Sequence, residues 1–278
     1  MIPPLTHDQI EAVRGVARAF DGVPIALVGA AALGCHLPLR DKTEDVDFLV
    51  ATTVESLRVL AETPDWQRHA TKEHQWTAPN GVEIDVVPAS HDAMKEGVLR
   101  WPKSGHTMNL TGIRLVFETG QLLAVADNLK LRVPSVSVIA LLKMIAYLDR
   151  YERTTKDLSH LALIFDQFPA DDDDRMYTHE QAVAGLTPDE ARAQVLAREL
   201  AALVDGRERA DCARFVGCLR DDPTHTARML RVMLQPKEER DALLARRLEI
   251  LTMELSLSST GNEVGFSFRS TNRSVRDR

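Results

Sequence analysis

The sequence predicts an α+β protein, in which a small mixed β-sheet with helices is followed by an all-helical C-terminal domain. Two observations carry this prediction. Short apolar segments bounded by turn residues fill the first half, whereas from Pro134 onward apolar residues recur at helical spacing. We therefore expect a first domain over residues 1–130 and a helical domain over residues 131–255. Residues 256–278 are rich in serine, threonine and asparagine, which is typical of a disordered tail.

The composition excludes several classes of protein. The 278 residues are 44% hydrophobic, which is ample for a buried core, and the net charge of −7 argues against a protein that coats nucleic acid without specificity. Three widely separated cysteines support neither a disulfide framework nor a zinc site. The N-terminus lacks the pattern of a secretory signal, and the most apolar segment, residues 133–148, is too short to span a bilayer comfortably. We expect a cytoplasmic protein with no membrane partner.

The first predicted elements lead to a glycine turn. Residues 6–9, Thr-His-Asp-Gln, form a capping box, and apolar residues at helical spacing follow as far as Phe20. Residues 24–28 predict a short buried strand, and residues 30–36 predict a helix that ends before Pro38. Gly29 lies between this strand and this helix. A glycine there lets backbone amides approach a phosphate at the start of the helix.

Two carboxylates open the next predicted strand. Asp45 and Asp47 are two residues apart, and the apolar residues 48–50 carry the strand into a core. Because side chains at i and i+2 of a strand lie on one face, both carboxylates point the same way. Oxygen ligands of this kind select magnesium or manganese over zinc. The pair therefore predicts a site for Mg²⁺, with Mn²⁺ as the alternative ion.

The rest of the predicted sheet contains a third acid. After a helix through residue 60 and a strand over residues 66–76, the turn at residues 79–81 returns the chain as a strand over residues 82–87. Asp85 lies within this apolar run. A helix over residues 90–101 and strands over residues 107–110, 114–117 and 122–125 follow, and the sheet is expected to end there.

The pattern of a glycine turn, a helix and a Thr43-x-Asp45-x-Asp47 strand resembles the DNA polymerase β-like nucleotidyltransferase superfamily. That superfamily carries a third carboxylate on an apolar strand, and Ile84-Asp85-Val86 resembles it. The resemblance implies magnesium-dependent transfer of a nucleoside monophosphate from a nucleoside triphosphate to an acceptor hydroxyl. Asp85 would then bind the second metal ion or act as the base.

Two predicted helices joined by a charged turn resemble the AbiEii-type branch of this superfamily, known from toxin and phage-defence systems. That resemblance implies that Lys143 contacts the phosphates and that Asp157 lies in the catalytic cleft. It also implies an RNA acceptor, such as a tRNA 3′ end, and an antitoxin partner. The implied catalytic residues are Asp45, Asp47, Asp85, Lys143 and Asp157, and the implied nucleotide-binding residues are Gly29, Ala30, Thr43, Lys143 and Arg150.

Several alternatives stay open from the sequence. Most members of the superfamily have Gly-Gly or Gly-Ser where this chain has Gly29-Ala30, so a catalytically inactive nucleotide-binding module is the main competitor. The acceptor could also be a protein hydroxyl or an antibiotic. A dinucleotide-binding fold is disfavoured because no Gly-x-Gly-x-x-Gly motif is present. Lys143 could instead reach solvent from an apolar helix, and Asp157 could favour a helix N-terminus.

Overall fold

The computed structural model describes residues 5–39 and 43–257 and has the predicted α+β architecture. A mixed β-sheet lies in the first half, and helices form the second. The strands are β1 (Ile25–Val28), β2 (Val46–Val50), β3 (Gln67–Arg68), β4 (Gln75–Thr77), β5 (Glu83–Pro88), β6 (Val98–Arg100), β7 (Thr107–Asn109), β8 (Gln121–Ala126) and β9 (Leu129–Val133). The helices are α1 (His7–Ala19), α2 (Gly29–Gly34), α3 (Arg58–Ala61), α4 (His91–Glu96), α5 (Ile113–Thr119), α6 (Val136–Arg150), α7 (Lys156–Gln167), α8 (His179–Ala184), α9 (Pro188–Leu203), α10 (Gly206–Asp221), α11 (Pro223–Val232) and α12 (Lys237–Leu257).

Seven strands form the main sheet in the order β3-β4-β5-β2-β1-β9-β8, and β6 and β7 form a separate hairpin. The central strand β2 pairs in parallel with β5 and antiparallel with β1, while β1 pairs in parallel with β9. On β5, Ile84 and Val86 are fully buried and Asp85 is half-buried, as the alternation of the sequence predicts. Both faces of the central strands β1 and β2 are mostly buried, as Phe48 and Leu49 show, and Asp47 and Asp85 lie at one end of the paired strands β2 and β5.

Local signals placed several elements correctly. The backbone N–H of Gln9 donates to Thr6 Oγ1 at 3.2 Å, and the Gln9 side chain accepts from the Thr6 backbone N–H at 2.8 Å, which completes the predicted capping box. Gly81 has φ 84° in the turn that joins the antiparallel strands β4 and β5, as the predicted hairpin requires. These features depend only on neighbouring residues.

Four predicted elements are wrong in extent or type. The helix predicted over residues 90–101 ends at Glu96, because Gly97 adopts a left-handed conformation (φ 71°) that terminates the helix. The strand predicted over residues 66–76 is two short strands, β3 and β4, that pair with each other. Residues 114–117 belong to helix α5, which begins after Gly112 (φ 80°). A short apolar run has no periodicity that separates helix from strand.

The fourth difference concerns the end of the sheet. Strand β9 pairs with both β8 and β1, so the sheet extends past residue 125 to Val133. Asn128, with φ 55°, makes the turn between β8 and β9. The boundary placed at residue 130 therefore falls inside a strand, and the division into two domains stays a prediction.

The helical second half packs onto the first. Helix α6, capped by Ser135, contacts α2 and α5 and thus brings its inner face toward the end of strand β1. Among the described residues, no helix combines the length and apolar character needed to cross a bilayer. Residues 256 and 257 of the predicted tail are the last two residues of α12, and residues 258–278 lie outside the described residues.

Candidate active site

Three carboxylates meet at one end of the central strands. Asp47 on β2 lies directly opposite Asp85 on the parallel strand β5, and Asp45 immediately precedes β2. One carboxylate oxygen from each acid lies within 4.8 Å of the other two. The structure thus brings together the three acids that the sequence selected, on a surface that oxygen-binding divalent cations would fit.

Gly29 is required by the approach of Asp47. It follows β1 with φ 68°, and a Cβ atom at this position would lie 2.7 Å from Asp47 Cγ, with Oδ2 closer still. No non-glycine residue could occupy the position without moving the carboxylate. Gly29 and the buried Ala30 open helix α2, whose first backbone N–H groups have no partner within the helix.

The carboxylate of Asp47 is held in an environment that disfavours its charge. Burial, followed by repulsion from Asp45, raises the pKa of Asp47 to about 7, although Lys143 and Lys156 act in the opposite direction. The positive charges of Lys143 and Lys156 do not offset the effect of burial, so Asp47 loses its proton at a higher pH than an exposed aspartate does. A bound cation would offset the free-energy cost of the ionised Asp47 carboxylate.

The surroundings of Asp85 also disfavour its ionised form. Burial, followed by repulsion from Asp45, raises its pKa to about 6. Its Oδ1 is buried without a hydrogen-bond partner, and its Oδ2 lies 3.8 Å from His74 Nε2. An unpartnered buried carboxylate oxygen beside two other acids is the arrangement that a metal ligand would have before binding.

Thr43 holds Asp45 in place. Its hydroxyl lies 2.9 Å from both the carbonyl oxygen and Oδ1 of Asp45, and its own carbonyl accepts a 2.8 Å hydrogen bond from Gln9 Nε2. Thr43 and Gln9 are both buried. The resemblance implied a nucleotide contact for Thr43, and the structure places its hydroxyl on a carboxylate of the site.

Lys143 and Asp157 form a buried ion pair beside the three acids, and the exposed Arg150 bonds to the same Asp157 carboxylate. Lys143 Nζ donates to Asp157 Oδ1 at 3.0 Å, and Arg150 donates to both carboxylate oxygens at 2.8 and 2.9 Å. Burial raises the pKa of Asp157, but the bonds from Arg150 and the charge of Lys143 outweigh it and lower the pKa overall. Lys143 is therefore a buried residue whose position is fixed by Asp157, and its charge still acts on Asp47.

Two further residues lie near the acids: Lys156, a cation of the charged turn between the two predicted helices, and His74, which the sequence did not select. Lys156 Nζ lies 3.9 Å from Asp45 Oδ1 with its side chain 56% exposed, so this cation is free to move toward a ligand. His74, next to Asp85, comes from the turn between β3 and β4. No local signal indicates His74, because only the pairing of β4 with β5 brings it to Asp85.

We expect Gly29→Ala to remove cation binding at the acids and to destabilise the protein. The substitution combines a left-handed backbone, which costs a non-glycine residue roughly 1–2 kcal/mol, with the overlap on Asp47. Gly22→Ala is the matched control, because Gly22 has φ 75° and nothing within 4 Å of an added Cβ. Manganese titration and urea unfolding of both variants measure the difference. If Gly29→Ala and Gly22→Ala lost equal stability and Gly29→Ala still bound manganese like the wild type, Gly29 would not be required by the approach of Asp47.

Comparisons with known proteins leave the family of this chain open. No protein-family model and no curated protein matches it. Among solved structures, a proposed nucleotidyltransferase from Helicobacter pylori is similar at 13% identity and a TM-score of 0.38, covering 91% of this chain and 98% of that one. JHP933 from Helicobacter pylori is similar at 12% identity and a TM-score of 0.39, covering 93% and 98%. At these scores the likeness carries no functional argument, and function must be argued from the site itself.

Proposed function

We propose that this protein transfers a nucleoside monophosphate from a nucleoside triphosphate to an acceptor hydroxyl, with Mg²⁺ or Mn²⁺ held by Asp45, Asp47 and Asp85. The observation that supports it is the convergence of these carboxylates within 4.8 Å, with Asp85 Oδ1 unpartnered. When bound, divalent cations of this kind neutralise phosphate charge and stabilise the oxygens that attack and leave. The donor set is all oxygen, which fits these hard cations.

Cations of the chain itself surround the acids on the side of the helical half. Lys156 approaches Asp45. Lys143 is bonded to Asp157, and its positive charge lowers the pKa of Asp47. A triphosphate placed along this side would be attracted by Lys156 directly and by Lys143 and Arg150 at longer range. Asp157 would be a positioning residue that keeps Lys143 and Arg150 in place.

In the proposed reaction, an acceptor hydroxyl oxygen forms a bond to the α-phosphorus of the triphosphate. The bond between that phosphorus and the oxygen that bridges to the β-phosphate breaks, and pyrophosphate leaves. The hydroxyl proton passes to a carboxylate of the site; Asp85 would activate the hydroxyl either as this base or as a ligand of the second metal ion, and its unpartnered Oδ1 supports both roles. Positioning by fixed charges supplies most of the rate enhancement in reactions of this class.

The test of this proposal is the fate of α-labelled nucleoside triphosphates. Each of the four is incubated with the protein and magnesium, together with total RNA, with mixed proteins or with aminoglycosides. The proposal expects label on one acceptor pool for the wild type and none for Asp45→Asn. Triphosphate binding without transfer to any pool would instead indicate a nucleotide-binding module, and binding that survives Asp45→Asn and Asp47→Asn would overturn the site. The toxin or phage-defence role and the antitoxin, implied by the AbiEii resemblance, stay predictions.

We expect Lys156→Ala to weaken magnesium triphosphate binding by about tenfold, the lower end of what a charge-assisted contact contributes. Lys156 is chosen because its ammonium is the exposed cation nearest Asp45, whereas Lys143 is held by Asp157. The control is Lys130→Ala, since Lys130 is the second residue of β9 and lies level with the start of β1, at the end of that strand remote from Gly29. Calorimetric titration with magnesium triphosphate measures the affinity of both variants. Unchanged affinity in the Lys156 variant would show that this lysine contacts no phosphate.

A further inference from the structure

Asp45 is the acid of the site that the pairing of the strands does not hold. Asp47 and Asp85 lie opposite each other in the ladder between β2 and β5, whereas Asp45 immediately precedes β2. The hydroxyl of Thr43 lies 2.9 Å from Asp45 Oδ1, while the ammonium of Lys156 stays 3.9 Å from that oxygen. The position of Asp45 relative to the other two acids therefore depends on what fixes Thr43.

Thr43 is fixed by the first helix of the chain. Gln9 Nε2 donates a 2.8 Å hydrogen bond to the Thr43 carbonyl oxygen across a separation of 34 residues, and both residues are buried. The other end of the Gln9 amide, Oε1, accepts from the backbone N–H of Thr6 at 2.8 Å. The capping box thus starts α1 and also holds the Gln9 side chain in one direction. Because a buried hydrogen bond is stronger than one in water, this contact links the position of α1 to that of Asp45.

The same turn of α1 contacts the segment that leads to Asp85. Asn80, in the turn between β4 and β5, donates from Nδ2 to the carbonyl oxygen of Asp8 at 2.7 Å. Its Oδ1 accepts from the backbone N–H of Val82, the residue before β5, at 3.4 Å. This contact is exposed, so water competes with it, and the buried bond of Gln9 is the stronger of the two links. The first turn of α1 therefore joins the segments that precede β2 and β5, the two strands of the site.

We propose that Gln9 is a positioning residue for the cation site and that, by holding Asp45 through Thr43, it makes the site prefer Mg²⁺ over Ca²⁺. This inference rests on the proposed function in placing a divalent cation at the three acids. Mg²⁺ requires near-ideal octahedral geometry with ligands at about 2.1 Å, whereas Ca²⁺ accepts more ligands, at about 2.4 Å, in flexible arrangements. A site in which Asp45 is fixed can meet the requirement of Mg²⁺, and a site in which Asp45 moves still suits Ca²⁺. Loss of the Gln9 bond should therefore weaken Mg²⁺ binding more than Ca²⁺ binding.

The experiment follows Mn²⁺ bound to the whole chain by electron paramagnetic resonance and displaces it with Mg²⁺ or with Ca²⁺, which gives the ratio of the two affinities. Gln9→Met keeps a side chain of similar length and removes both hydrogen bonds of the amide. Gln9→Asn keeps an amide that is one methylene too short to make the contact with Thr43, and it serves if the apolar variant does not fold. We expect the ratio of Mg²⁺ affinity to Ca²⁺ affinity to fall about tenfold in both variants, the lower end of the loss seen when a residue behind a metal ligand is changed.

Thr6→Ala is the matched control. It removes the hydroxyl that caps α1 and leaves the Gln9 amide bonded to the backbone N–H of residue 6 and to the Thr43 carbonyl. The helix start is weakened without loss of the contact on Thr43, so the affinity ratio should equal that of the wild type. Thr43→Val, which removes the hydroxyl beside Asp45, should lower the ratio as Gln9→Met does. The double variant should lower it no further, because both changes act through the same carboxylate.

An affinity ratio in Gln9→Met equal to that of the wild type overturns the inference. An equal fall in Thr6→Ala also overturns it, because the effect would then belong to the helix as a whole. The labelled triphosphate assay on the same samples separates this inference from the proposed function. A wild type that prefers Mg²⁺ through Gln9 but transfers no label would sink the proposed function and keep the inference, and transfer with an unchanged ratio would do the reverse. A wild type that binds no Mn²⁺ would overturn both.

Discussion

Replacing Asp47 by asparagine is expected to abolish nucleotidyl transfer and, without divalent cations, to stabilise the folded protein. Transfer is lost because an amide cannot replace a carboxylate ligand between Asp45 and Asp85. Stability increases because burial, followed by repulsion from Asp45, raises the pKa of Asp47 to about 7. At higher pH the ionised group is therefore unfavourable in the folded state, by roughly 2 to 4 kcal/mol after allowance for its partial exposure.

The sign of the pH dependence follows from the raised pKa values. Asp47 and Asp85 have folded pKa values of about 7 and about 6, above the ordinary 3.8, so the folded protein holds these protons more tightly than the unfolded chain does. Their contribution to stability is fully present below a pH of about 3.8 and is lost as the pH rises through about 6 and about 7. The stability advantage of Asp47→Asn over the wild type should therefore grow across this window.

Urea unfolding in EDTA and in magnesium, at several pH values, measures the advantage, and the labelled triphosphate assay measures transfer. Magnesium should remove the advantage, because a bound cation compensates the wild-type carboxylates. Glu44→Gln is the control, since Glu44 is an exposed acid next to Asp45 and the charge change is the same. An Asp47→Asn protein that still transfers nucleotide would show that Asp47 is not a ligand. If the Asp47→Asn protein were less stable than the wild type in EDTA at high pH, the negative charge of Asp47 would stabilise the fold.

Asp157→Ala is expected to cost about 3–5 kcal/mol of stability, because removing one partner of a buried ion pair leaves the charge of Lys143 uncompensated. The Asp157 side chain is 1% exposed, and Lys143, at 10%, would lose its bonded carboxylate. Arg150 is 48% exposed and can turn to water, so most of the cost falls on Lys143. Triphosphate affinity per folded molecule should also fall, because Asp157 fixes the direction of Lys143.

A double-mutant cycle separates these effects. Lys143→Met removes the buried charge and keeps an apolar chain of similar length, so the double variant with Asp157→Ala should cost clearly less than the sum of the single changes. Chemical denaturation of the four proteins gives the coupling energy. If the two single costs simply add, the ion pair is not the source of the loss. If Asp157→Ala is neutral, the ion pair has no structural role.

The strand positions of the acids and the start of helix α1 follow from the sequence alone. The alternation over residues 82–87 places Ile84 and Val86 in the core and Asp85 on the opposite face, and the structure confirms it. The capping box at Thr6 marks the start of α1 correctly. These features are local, since strand alternation and helix caps depend on residues within a few positions of one another.

Other features depend on contacts between distant segments, and only the folded chain shows them. The parallel pairing of β2 with β5 places Asp47 opposite Asp85, and the packing of Asp47 over Gly29 explains the glycine. Lys143 is bonded to the buried Asp157, whereas the exposed Lys156 approaches Asp45, and neither contact can be read from residues that are neighbours in sequence. Residues 113–119 form a helix rather than a strand. Local periodicity constrains which face of an element is apolar, but partner strands and burial of charge are set by long-range packing.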